Sequence, residues 1–293
     1  MDTNSITRNY LDSLLFEQRL VDSTLPDIHV NIFGETFDTP VMTPAFSHLK
    51  AFADDRESAM IEYAKAAAKV GALNWFGMEP DDIAAEILDA NPRSVRVIKP
   101  FADQDRIIGE MEFAADHGAL AVGIDIDHVY GYDGQYDVVD DIKMGPISTD
   151  DLRKFVTATK LPLIIKGVLS VRDAVKCAAA GVKGIVVSHH HGRLPFAVPP
   201  LNVLPAIAHE LKGSGVTIFV DCHMDTGYDA LKAIALGADA VSVGNAMMKD
   251  LKEGGVAGVT DKLTAMNHEL ITGMGYTGCK DISQVDASIL WKD

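Results

Sequence analysis

From residue 40 onward, short runs that are apolar at nearly every position alternate with longer stretches whose apolar positions recur every three or four residues. The apolar runs are PVMTPAF, ALNWFGM, SVRVIKPF, ALAVGIDID, LPLIIKG, KGIVVSHH, TIFVDC and AVSVGN, eight in all. A strand buried on both faces, as in a parallel sheet covered by helices, has this pattern. Helical periodicity fills the gaps, in ESAMIEYAKAAAKVG, DRIIGEMEFAADHG, SVRDAVKCAAAG and GYDALKAIALG. Each of these stretches ends on Gly, the residue that most readily follows a helix C-terminus. Eight strand–helix units in about 250 residues predict an α/β TIM (β/α)8 barrel rather than an open doubly wound sheet.

No linker interrupts the series, so a single barrel domain is expected over residues 40–293. Residues 1–39 precede it as a capping segment, a helix followed by the hairpin DIHVNIFGETFDTP, turning at Gly34 to close the barrel bottom. The longest connection, DHVYGYDGQYDVVDDIKMGPI, follows the fourth strand and is expected to form a lid over the top face.

In such a barrel, chemistry sits where strands end and the following loops begin. Those ends carry Gly77, Lys99, Asp125, Asp127, Lys166, Ser188, Asp221, Gly244 and Asn245, and the triplet His189–His190–His191. A lone His or Asp after a strand is usually a cap or a surface residue. Titratable groups ending four successive strands point instead to one site. Side chains leaving a strand alternate in direction, so the expectation is that His190 faces the pocket alone, or that His189 and His191 face it without His190.

Composition narrows the partners. The chain has 293 residues, 26 Lys and Arg against 42 Asp and Glu, and a formal net charge of −16. Nucleic acid and anionic membranes both need a basic face, so neither is an expected partner. Three widely spaced cysteines are no disulfide framework and favour a reducing compartment. The N-terminal stretch lacks a basic segment followed by an apolar core, and no apolar run reaches the roughly 18 residues that span a bilayer. A cytoplasmic protein acting on a small molecule is the expectation.

The motifs STDDLRKFVTATKLPLIIKGVLSVRDAVKCAAAGVKGIVVSHHHGR and FVDCHMDTGYDALKAIALGADAVSVGNAMM resemble the FMN-dependent α-hydroxy acid oxidase and dehydrogenase family, to which lactate and glycolate oxidases belong. The family's LKG…VSNHGGR pattern reads IKG…VSHHHGR here. The resemblance implies FMN as cofactor, with Lys166 beside the flavin ring. It makes His190 the base that takes the substrate hydroxyl proton, with Asp127 orienting it. It assigns Arg193 to the substrate carboxylate, a task suited to its planar fork. Asp221, Gly227, Gly244 and Asn245 then fall in the flavin-side loops after strands seven and eight, with Ser188, Gly77 and Lys99 as further cofactor contacts. Family members often form tetramers, so a homo-oligomer is implied.

The departures lie at the cofactor and substrate ends. Cys222-His223-Met224-Asp225 stands where the family has Gly-Gly-Val-Arg, and Asn245 replaces a second arginine. Lys99 and Phe101 replace a glutamine and a tyrosine, and Asp125 a threonine. FMN should therefore bind weakly for the family, and Asp225 should turn one corner toward a cationic or uncharged substrate end. Two other readings stay open. The His, Asp and Cys groups could hold a metal, although their spacing matches no zinc signature, or the barrel could bind a ligand without turnover.

Overall fold

The computed structural model of the chain describes residues 2–291. Met1 and residues 292–293, the outer ends of the two expected segments, lie outside the described residues. Helix α1 (Thr3–Ser13) comes first, capped by the Asp2 carboxylate, which accepts from the Ser5 N–H. A hairpin follows, β1 (Val30–Ile32) and β2 (Glu35–Phe37), antiparallel in register. Its turn residues Phe33 and Gly34 both have positive φ, 53° and 86°, which matches the twist of the flanking strands.

Eight parallel strands then build the barrel: β3 (Val41–Met42), β4 (Asn74–Phe76), β5 (Ser94–Ile98), β6 (Ala121–Asp125), and, after a small hairpin β7 (Val138–Val139) and β8 (Ile142–Lys143), β9 (Leu163–Val168), β10 (Gly184–Val187), β11 (Thr217–Val220) and β12 (Ala240–Ser242). They pair in the order β3-β12-β11-β10-β9-β6-β5-β4. The remaining seam between β3 and β4 closes through Thr43, whose N–H donates to the Leu73 carbonyl at 3.3 Å. Its Oγ1 also receives the Trp75 N–H at 3.0 Å. The eight apolar runs of the sequence are these eight strands.

Helices α2 (Ala59–Lys69), α3 (Asp81–Ala90), α4 (Gln104–Asp116), α5 (Thr149–Ala158), α6 (Val171–Ala180), α7 (Pro200–Glu210), α8 (Gly227–Ala235) and α9 (Met248–Thr277) surround the sheet. The last is broken at Gly255, which has φ 53° and ψ −133°. None is long and apolar enough to cross a membrane. The four glycines that end the periodic stretches, Gly71, Gly118, Gly181 and Gly237, all have positive φ.

Two apolar layers follow from the strand period of two. Outward residues such as Ile165, Ile185 and Val220 pack under the helices. Inward residues Trp75, Val95, Val97, Ala121, Ile164, Val186 and Phe219 fill the barrel together with Ile32 and Phe37 of the hairpin. Phe33 meets Phe219 edge to face at 6.1 Å, so the hairpin plugs the lower end. The upper end is left for chemistry.

Candidate active site

The inward parity that fills the barrel also sets the site. Val95 and Val97 are followed by Lys99, Ala121 and Gly123 by Asp125, Ile164 by Lys166, and Phe219 by Asp221. Each inward row turns polar at its C-terminal end, on one rim. Asp125 is 2% exposed and sits between two ammonium groups, Lys99 Nζ at 2.9 Å and Lys166 Nζ at 3.4 Å. Lys166 also faces Asp221 at 3.7 Å. Burial opposes the charge on Asp125, but Lys166, His190 and Lys99 outweigh it and hold its carboxyl well below the usual range. Burial likewise opposes the Lys166 charge, and Asp125, Asp127 and Asp221 hold it charged.

His190 is the hub. Its Nδ1 lies 2.7 Å from Asp127 Oδ1 and 3.4 Å from Asp125 Oδ1. Burial and Lys166 disfavour its protonation, yet the two carboxylates prevail and raise its pKa. Burial and the charge of Asp125 push Asp127 up in turn. With Nδ1–H directed at Asp127, the ring keeps Nε2 for the cavity that His190 lines.

That cavity, about 240 Å³, opens at the strand ends. Trp75, Phe46, Phe219 and Val186 give it apolar walls, Lys166, Asp221, Asp225 and His190 are among its titrating groups, and Asn4, His191, His223, Gly244 and Asn245 also line it. The histidine triplet departs from the alternation expected of it. His190 and His191 both adopt positive φ, 47° and 56°, so the chain turns at once and both face the cavity. His189 points away. Its Nδ1 accepts the Gly192 N–H at 3.1 Å, and Nε2 meets Thr7 Oγ1 of α1 at 2.8 Å.

Of the residues the sequence singles out, Lys166, His190, Asp221, Gly244 and Asn245 line the cavity, and Asp127 backs His190. Ser188 holds the loop, its Oγ accepting the His190 N–H at 3.1 Å. Lys99 is spent on Asp125. A Cβ on Gly77 would stand 2.1 Å from Ser47 Oγ, and one on Gly227 would stand 2.0 Å from the Met266 carbonyl oxygen. Both glycines therefore serve close packing. Arg193 is not among the residues that line the cavity. It bonds to His128, Tyr130 and Asp137 of the connection after β6, and His128 stands next to His190, ring to ring at 4.9 Å.

Several contributors are not apparent from the sequence. Arg8 on α1 grips Asp229 at 2.7 Å and faces Asp225 at 3.6 Å, and Asn4 reaches His223 at 3.4 Å. His223 Nδ1 also lies 3.7 Å from Asp225. The expected negative corner at Asp225 is thus offset by a cation from the other end of the chain. His128 and Asp137 join Arg193. Such partners lie 56 to 221 positions apart in the chain, and no local pattern marks them.

Asp125, His128 and His190 offer ligand atoms within 4.8 Å of one another. Two ammonium groups already neutralise Asp125, which disfavours a further cation there.

The family model described as FMN-dependent dehydrogenase matches residues 2–146 and 131–292. An L-lactate oxidase of Nostoc sp. is 34% identical over 169 residues, 57% of this chain and 46% of that protein. A 2-hydroxyacid oxidase of Dictyostelium discoideum is 37% identical over 146 residues, 50% of this chain and 37% of that protein. The chain thus aligns with less than half the length of these curated relatives. Among solved structures, mandelate oxidase superposes with a TM-score of 0.87 at 26% identity, over 99% of this chain and 90% of that chain. A mandelate oxidase variant carrying a monooxide FMN adduct gives 0.81 at 28% identity, over 99% and 90%.

Proposed function

The chain belongs to the FMN-dependent dehydrogenase family, and from that premise we propose that it oxidises a small 2-hydroxy acid or a related 2-hydroxy carbonyl compound. The cavity's donor set fits FMN. Lys166 supplies a buried cation 3.4 Å from His190 Nδ1, aromatic walls suit a planar ring, and Asn4, His191, His223 and Asn245 add donors to the lining. The Cβ position of Gly244 meets nothing within 4 Å, which leaves room for a group against that backbone. Bound there, FMN supplies the two-electron acceptor.

The chain's own residues supply the acid–base part. His190 Nε2 takes the hydroxyl proton, and the imidazolium so formed is held by Asp127 at 2.7 Å and Asp125 at 3.4 Å, the logic of a triad aspartate. Lys166, kept charged by its carboxylate neighbours, would offset negative charge gathering on the ring. Trp75 and Phe46 add apolar surface to the lining.

The observation that carries this reading is the shared cavity of His190 and Lys166, with His190 tied to Asp127 from behind. The same reading includes a cytoplasmic homo-oligomer, its assembly testable by light scattering and its compartment by cell fractionation. The decisive experiment adds FMN to the purified protein and mixes it anaerobically with lactate, glycolate or mandelate. Uptake of FMN and bleaching of its blue absorbance are the expected results. No uptake at millimolar FMN would end the proposal.

A further inference from the structure

Arg193, the residue that the resemblance assigns to a substrate carboxylate, is already satisfied in this structure. Its Nη2 donates to Asp137 Oδ2 at 2.6 Å and to the Tyr130 carbonyl at 2.9 Å. Nη1 donates to His128 Nε2 at 3.2 Å. A guanidinium only donates, so that ring nitrogen carries no proton and His128 is neutral. Its Nδ1–H is then free to donate to the same Asp137 oxygen, 3.1 Å away. Burial first, then Lys99, pushes His128 down to about 4, in agreement with this tautomer.

Asp137 is no loose side chain that happens to swing in. Its N–H donates to the Val129 carbonyl at 2.9 Å and its carbonyl accepts the Met144 N–H at 2.8 Å. Its other oxygen, Oδ1, accepts the Val138 N–H at 3.0 Å. The backbone on both sides is therefore fixed while Oδ2 is aimed at Arg193. Only 19% of the Arg193 side chain and 20% of the Asp137 side chain are exposed.

The two ammonium groups of the rim are committed in the same way, Lys99 to Asp125 and Lys166 to Asp125 and Asp221. A carboxylate entering beside His190 would have to break one of these pairs, whereas a neutral carbonyl group would not.

We propose that Asp137 determines specificity: it occupies from within the chain the seat of a substrate carboxylate on Arg193, so the preferred substrate carries its hydroxyl beside an uncharged carbonyl, as in a 2-hydroxy amide or ester. This rests on the reading of His190 and Lys166 as an α-hydroxy oxidation site. It also moves the neutral end of the substrate from the corner of Asp225, which Arg8 offsets, to the face of Arg193.

Pyruvate and pyruvamide, the anionic and neutral products of such a pair of substrates, test it by titration calorimetry on FMN-loaded protein. A hydrogen bond to a charged group is worth about 1.5 kcal/mol or more, so wild type should bind pyruvamide about tenfold more tightly than pyruvate. Asp137→Asn keeps the bond from the Val138 N–H and removes the charge, and Asp137→Ser shortens the side chain. Both should tighten pyruvate about tenfold and leave pyruvamide within about twofold. Pyruvate binding more tightly than pyruvamide to wild type, or unchanged in both variants, would overturn the proposal. So would a failure of both ligands to bind. Flavin bleaching by lactate or lactamide is read separately. Bleaching with unchanged pyruvate affinity removes Asp137 alone, and absence of FMN uptake removes the flavin reading. The titrations on protein without FMN still report on Asp137.

Discussion

Asp127 and His190 permit a prediction in which the isosteric substitution does more harm than the truncation. Asp127 accepts from Nδ1–H of His190 at 2.7 Å, and Asp125 Oδ1 stands 3.4 Å from the same nitrogen. In Asp127→Ala the charged acceptor is lost, but Asp125 remains to take the Nδ1 proton, so the base nitrogen still faces the cavity. A hydrogen bond to an ionised group contributes about 1.5–3 kcal/mol, and some of it is recovered from Asp125, which leaves about 2 kcal/mol, or a thirtyfold slower reduction. Asp127→Asn removes the charge and brings an amide N–H that can face Nδ1 beside its remaining carbonyl acceptor. With the N–H facing Nδ1 the other tautomer is favoured, with the proton on Nε2, and a comparable change in a serine protease triad costs about 10⁴. The assay is anaerobic stopped-flow bleaching of FMN-loaded protein by whichever of lactate, glycolate, mandelate and lactamide reduces wild type fastest. Ala about thirtyfold slow and Asn at least tenfold slower again is the expected order. Equal rates for the two variants would refute the tautomer reasoning. Rates within about threefold of wild type would refute a positioning role altogether.

Other consequences are open to direct measurement. Because its carboxylate neighbours raise the pKa of His190, its base form should grow as pH rises. kcat/KM should then climb through a step above the ordinary histidine value, and Asp127→Ala should move that step down. His190→Ala should remove about 10²–10⁴ of turnover while leaving FMN absorbance and affinity unchanged. Asp125→Asn strips Lys99 and Lys166 of a buried partner, so about 3–5 kcal/mol should be lost, lowering the melting temperature by roughly 6–20 °C. In wild type the Asp125 carboxyl is depressed on folding. Its contribution should persist at and above the ordinary carboxylate range and fade only below it, as acid melts will read. Gly227→Ala places a methyl group against the Met266 carbonyl oxygen, and overpacking of about 1–3 kcal/mol should appear in denaturation with FMN affinity unaffected.

The barrel is legible in the sequence because its strands are buried on both faces and its helices end on glycine, two local signals. The rim residues Lys166 and Asp221 are legible because the inward parity of each strand carries to its C-terminal end. His190 instead lies three residues beyond Val187 in a loop that leaves that alternation, and is marked by the VSHHHGR motif. Gly77 and Gly227 read as cofactor contacts when seen as sequence, and only the neighbouring elements show that Ser47 and Met266 crowd them. The direction of His191 depends on two successive left-handed residues, and alternation along a strand gives no warning of that. Arg8 opposite Asp225, and Asp137 on Arg193, rest on tertiary approach alone.

The rim loops carry side chains where the backbone would prefer none. His190, His191, Cys222 and His223 all hold positive φ, between 47° and 69°, a region in which a Cβ commonly costs about 1–2 kcal/mol and glycine nothing. Folding and chemistry therefore pull these four positions in opposite directions. A library screened for heat resistance alone should drift toward glycine at all four, yielding a hardier barrel with a blank mouth. The same library screened for flavin bleaching should hold the histidines in place. Comparing the two outcomes would measure, position by position, how much conformational ease this protein forgoes to keep imidazoles at its rim.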